Sequence, residues 1–127
     1  MIINTPISLG ELIDKISILQ IKHEKINDLK KKKIIANELQ LLQDILHNNI
    51  DKELYESFLN KLITINKKLW SIEDDLRMHE KNKKFDDNFV ELARSVYYSN
   101  DERAKIKLEI NNKFGSKIIE VKSYEKY

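Results

Sequence analysis

Residues 55–79 read YESFLNKLITINKKLWSIEDDLRMH. Within them Tyr55, Phe58, Leu62, Ile65, Leu69, Ile72, Leu76 and His79 step by three and four without a miss. That alternation keeps every one of these side chains on one stripe of an α-helix. A stripe this long is a coiled-coil-like seam, and it needs other helices to cover it. The fold class follows from this stretch: all-α.

Upstream, His47-Asn48-Asn49-Ile50-Asp51 reads as a turn, with Asp51 as the N-cap of the seam helix. The helix before it opens on Ser8, an N-cap residue, and Glu11 three positions on completes a capping box. Ile7 and Leu12 are placed for a hydrophobic staple, and Pro6 biases Thr5 toward extended backbone. Leu9, Leu12, Ile16, Leu19, His23 and Ile26 then recur at helical spacing. Lys30 to Lys33 interrupt the pattern and read as a solvated face. Ile35, Leu39, Leu42 and Leu46 resume it in a shifted phase. The reading is one long helix with a phase shift, or two stacked helices, ending near His47. The short connection to the seam helix predicts a long antiparallel helical hairpin.

Downstream, Asn82 to Lys84 form a polar turn and Asp86 or Asp87 caps a third helix. Its apolar face is Phe89, Leu92, Ala93, Val96 and Tyr97. At Ser99-Asn100-Asp101-Glu102 two readings stand. If the helix continues, Asn100, Arg103 and Lys107 fall on the core stripe, where polar groups need a ligand or an internal ion pair. If it breaks, Ser99 and Glu102 form a new capping box and Ile106 and Ile110 become the buried face. Gly115 ends the helical material. From Lys117 to Tyr127 apolar and polar residues alternate, which suits an extended segment or short strand docked on the helices.

The 127 residues suit one domain, 1–127. Only two glycines and one proline occur, so long helices meet few breakers. Charge is balanced at +2, which argues against nucleic acid as a partner. No apolar run is long enough for a membrane span, and the N-terminus lacks a signal-peptide pattern. Cysteine is absent, which removes disulfides and thiol chemistry and suits a reducing cytoplasm. His23, His47 and His79 lie far apart without metal-ligand spacing, so neither a metal nor a cofactor is expected.

Of 23 basic residues only Arg77, Arg94 and Arg103 are arginines. In so lysine-dominated a chain, an arginine marks a place where a planar, bidentate fork is needed. Trp70, Glu73, Arg77 and Glu80 share one stripe beside the seam, with Glu73 and Arg77 spaced for an ion pair. Arg94, Tyr98 and Asp101 share a stripe of the third helix, and Asn100, Arg103 and Lys107 share another. Gathered together, these groups suit a sugar phosphate or a nucleotide. They equally suit a network tying the helices to one another.

Spaced motifs run the length of the chain: Pro6-Ile7-Ser8, Gly10-Glu11-Leu12-Ile13-Asp14-Lys15, Leu69-Trp70-Ser71-Ile72-Glu73-Asp74 with Arg77, and Glu91-Leu92-Ala93-Arg94. They continue through Asn100-Asp101-Glu102-Arg103-Ala104, Ile106-Lys107, Ile110-Asn111, Gly115-Ser116 and Lys122-Ser123-Tyr124. In these motifs the chain resembles the family catalogued as domain of unknown function 6165. Gln20 and Val121 depart from it, each standing where an acid is expected. The resemblance implies a small all-helical domain and supplies residues without a mechanism.

Three functions fit these residues. The first is a module that binds a phosphorylated or anionic small molecule, a nucleotide or sugar nucleotide. Arg77, Arg94 and Arg103 would hold the anion, assisted by Lys15 and Lys107. Tyr97 and Asn100 would orient the ligand, and Lys122 and Tyr124 would close over it. Glu11, Asp14, Glu73 and Asp101 would position the cations, with Trp70 alongside. The second is a structural or adaptor domain, dimeric through its exposed seam, whose charges form an internal ion-pair network. The third is an enzyme acting on a sugar or nucleotide, with Glu73 or Asp101 as acid or base.

Overall fold

The computed structural model describes all 127 residues, which form four helices and their connections: α1 (Leu9–Lys25), α2 (Leu29–Asn49), α3 (Lys52–Lys81) and α4 (Asp87–Phe114). There is no strand, and the fold is all-α.

Local chemistry sets the helix ends. The Ser8 side chain accepts from the Glu11 backbone N–H at 3.1 Å and starts α1. Asp86 accepts from the Phe89 N–H at 3.0 Å and starts α4. Gly115 ends α4 in the left-handed region at φ 63°, a conformation that L side chains resist. Asp51 stands at the N-cap of α3 without a side-chain capping bond.

Two stacked helices, and not one, precede the seam helix. Ile26 leaves helical geometry at ψ 127°, and Asp28 caps α2 by accepting from the Lys31 N–H at 3.0 Å. Asn27-Asp28 is turn chemistry, and no glycine or proline is needed for it. The chain therefore folds back, and Lys15 of α1 pairs with Glu38 of α2 at 3.0 Å across an antiparallel α1–α2 hairpin.

The long hairpin expected between the helix ending near His47 and the seam helix does not form: α2 packs on α1, and the long antiparallel pair is α3 with α4, the Phe58 and Phe114 rings 6.2 Å apart near one end and His79 and Phe89 6.0 Å apart near the other. Helix α1 packs on α2, α3 and α4 and is the centre of the bundle. The seam is thus covered from within the chain. Tyr55, Phe58, Leu62 and Ile65 join Leu12, Ile13, Ile16, Leu46, Ile106 and Ile110 in one core. Ile13, Leu62 and Ile110 are wholly excluded from solvent, each contributing about 1.5–3 kcal/mol by leaving water.

Helix α4 runs unbroken through Ser99–Glu102; of the three polar residues expected on its core stripe Lys107 is buried and Asn100 and Arg103 are half-buried, while Ile106 and Ile110 are buried on the same helix. The tail 117–127 is extended and forms no strand.

Candidate functional site

Where α1 crosses α4 the backbones nearly touch. A Cβ at Gly10 would lie 2.5 Å from the Lys107 carbonyl oxygen, so only glycine fits there. The Gly10 N–H, left without a helical partner in the first turn, donates to Asn111 Oδ1 at 2.7 Å.

This approach sets the register of a buried polar network. Asp14 has no solvent exposure. Arg103 donates to it twice, from Nε to Oδ1 at 2.9 Å and from Nη2 to Oδ2 at 2.5 Å. Asn66 of α3 donates to Asp14 Oδ1 at 2.9 Å and to Ser17 Oγ at 2.8 Å, and Ser17 donates to the Asp14 carbonyl at 2.6 Å. Three helices are joined through Asp14, whose two carboxylate oxygens are both partnered, the condition under which a buried charge is tolerated. The hydrogen bonds to Asp14 raise the Arg103 pKa against the opposing effect of burial.

One turn along α4, Lys107 lies between Glu11 at 2.7 Å and Glu120 of the tail at 2.9 Å. Burial pulls its ammonium down, and the two carboxylates outweigh that, so its pKa is raised. The same contact, with Lys107 as the main cause, lowers the pKa of Glu120. Glu11 therefore serves Lys107 and not the reciprocal arm of its capping box. The tail is also held at its end, where the Tyr127 hydroxyl donates to Asp101 and its pKa is pushed up to about 12.

In front of the Asp14–Arg103 pair lies a cleft of about 530 Å³ between α1, α3 and α4. Trp70, Glu73, Asp74 and Arg77 line it from α3, Asn100 and Arg103 from α4, and Ile18, Ile21 and Lys22 from α1. The expected grouping of Trp70, Glu73, Arg77, Asn100 and Arg103 is thus realised in one place. The Glu73–Arg77 ion pair is not formed: Arg77 has no carboxylate within 4.0 Å anywhere in the chain. Arg103 uses Nε and Nη2 on Asp14, which leaves Nη1 uncommitted.

Other expected members lie elsewhere. Arg94 sits on the far side of α4, half exposed, paired with Glu91 at 3.0 Å and resting over the Tyr98 ring. Lys15 points outward to Glu38. Lys107 and Glu11 belong to the tail clamp. Tyr97, Asp101, Lys122 and Tyr124 line a second cleft of about 590 Å³ beneath the tail, together with Glu125, Tyr127 and Asn100. Asn100 alone borders both clefts.

Sequence reasoning missed Asn66, Ser17, Asn111 and Glu120. Asn66 carried a signal, since it lies one turn from both Leu62 and Trp70, a polar residue beside a seam.

The "Family of unknown function (DUF6165)" matches residues 3–127. The chain belongs to this family. The match covers essentially the whole domain, including the network, the cleft and the tail clamp of this DUF6165 protein. No curated protein and no solved structure matches it. None of its helices is long and apolar enough to cross a membrane.

Proposed function

We propose that the cleft between α1, α3 and α4 binds a phosphorylated or anionic small molecule, a nucleotide or sugar nucleotide. The observation that carries this reading is the unpaired Arg77 guanidinium. It stands at a cleft wall one turn from Glu73 and makes no ion pair with it. A guanidinium presents a planar fork matched to phosphate or carboxylate oxygens. Arg103 Nη1 and Lys22 add donors, and Asp14 holds Arg103 in place before any ligand arrives, which lowers the ordering cost of binding.

The remaining lining fits the rest of such a ligand. Trp70 offers a ring face, Asn100 a carboxamide, and Glu73 and Asp74 acceptors for sugar hydroxyls. A cavity of about 530 Å³ falls in the usual range of small-molecule sites.

A second reading is favoured for part of the cluster. Asp14, Arg103, Asn66, Glu11, Lys107 and Glu120 partner one another within the chain, which is what a structural network requires.

The test is a thermal-shift screen of nucleotides and sugar nucleotides on the wild-type protein and on Arg77→Gln. A ligand at about 100 times its dissociation constant adds roughly 2.7 kcal/mol. The expected result is a shift in the wild type that Arg77→Gln removes, with the ligand-free midpoint unchanged. No shift with any compound ends the proposal and leaves the structural reading.

A further inference from the structure

Helix α2 packs on α1 and carries a second set of apolar side chains that stays exposed. Ile35 and Leu46 face inward and are buried, with Leu39 and Leu42 beside them. Ile34, Leu41 and Ile45 share a different line of the helix, roughly a quarter turn or more away, and are 68%, 46% and 44% exposed. Leu41 and Ile45 are one turn apart and Ile34 lies two turns before Leu41, so three large aliphatic side chains meet water along one side of α2 and offer an interaction surface.

The residues around the row identify the partner. Lys30, Asn37 and Asp44 run along its outer flank, each seven positions from the next. Ile34 and Leu41 are symmetric about the point between Asn37 and Glu38, and Lys30 and Asp44 are symmetric about Asn37. The two centres differ by half a residue. A twofold axis passing between the two centres brings both pairs to within about half a residue of register, so the face complements a copy of itself. In that arrangement two α2 helices lie antiparallel. Ile34 meets the partner's Leu41, Asn37 meets the partner's Asn37, and Lys30 meets the partner's Asp44, each contact occurring twice where the symmetry requires it.

Charge supports this orientation over the parallel one. Lys30 has no ion-pair partner in its own chain, and Asp44 is engaged only by Gln40 Nε2 at 2.8 Å. A parallel pair would bring Lys30 to Lys33 of both copies together. The antiparallel pair carries the Lys30 end of each helix to the Asp44 end of the other copy. A polar Asn at the centre fixes the register, as single asparagines do in helical seams.

We infer that the outer face of α2 is a homodimer interface, formed antiparallel about Asn37. This surface is separate from the cleft and stands or falls independently of its ligand. It also replaces the seam of α3 as the dimer face, because α1 and α4 cover that seam.

The test is sedimentation equilibrium on the full chain. The wild type is expected at twice the 15.1 kDa chain mass. Leu41→Ser is expected at the monomer mass with an unchanged circular dichroism spectrum, because Leu41 is exposed in the single chain. Lys30→Glu and Asp44→Lys each place like charges opposite one another, and each is expected to weaken association by about tenfold or more. The double variant Lys30→Glu/Asp44→Lys restores the ion pairs with reversed sign and is expected to recover the wild-type dissociation constant. A monomeric wild type overturns the inference. So does a dimer indifferent to Leu41→Ser, or a double swap that is no better than the singles.

Discussion

Arg103 grips Asp14 with two hydrogen bonds across 89 residues of sequence, and the carboxylate it holds is fully buried. The pair joins α4 to α1 and, through Asn66, to α3. Removing one member leaves the other charged and without its counterpart. Arg103→Ala is therefore expected to cost about 3–5 kcal/mol, read as a lower urea midpoint at unchanged slope. Arg103→Met combined with Asp14→Leu is expected to be less destabilised than Arg103→Ala, because no orphan charge remains. A small effect of Arg103→Ala would show that Asp14 is not held by this pair.

Gly10→Ala tests the helix crossing. Alanine in a helix is ordinarily better than glycine by about 1 kcal/mol. Here the added methyl meets the Lys107 carbonyl at 2.5 Å, and overpacking of this kind costs about 1–3 kcal/mol. Urea unfolding of Gly10→Ala is expected to show a net loss. A gain would mean that α1 and α4 do not approach so closely.

Arg94 and Arg77 are expected to behave alike in stability and differently in binding. Both side chains are exposed, so Arg94→Lys and Arg77→Gln should each change stability by no more than about 0.5 kcal/mol. Only Arg77→Gln is expected to abolish the ligand response. Trp70 lines the same cleft and gives a direct signal: its fluorescence should change on titration with the ligand that shifts the midpoint, and Arg94→Lys should leave that titration curve in place.

The tail clamp predicts a window of pH. The Glu120 pKa is lowered in the folded protein, so its contribution is present above the ordinary value of 4.5 and lost as pH falls through the depressed one. The Lys107 pKa is raised, so its contribution is present below 10.5 and lost as pH climbs through the elevated one. Backbone Cα and carbonyl carbon resonances of residues 117–127 should therefore move toward disordered-chain positions at both extremes. Lys107→Met should release the tail at neutral pH, seen as faster proteolysis within those residues. A tail equally protected in Lys107→Met would place its anchor elsewhere.

The helices were legible because their signals are local. The three-and-four spacing from Tyr55 to His79, the Ser8 and Asp86 caps and Gly115 each act within one turn or a few, and each is realised in the structure. The all-α class, the seam and the helix ends needed nothing more. The break at Ile26–Asp28 was harder, since Asn27-Asp28 turns the chain without glycine or proline, and the interruption of the apolar pattern falls later, at Lys30 to Lys33.

What the chain's order of residues could not decide is which charges meet. Sequence spacing pairs Glu73 with Arg77 and groups Arg94 with the other arginines. The folded protein leaves Arg77 unpaired at a cleft wall and turns Arg94 to the far side of α4. Asp14 finds Arg103, and Lys107 finds Glu120, only because Gly10 lets α1 and α4 approach and so sets their register. Helix periodicity is a property of neighbours along the chain. The partner of a buried charge is chosen by the turn between helices and by the depth of their contact, and these exist only once the bundle has formed.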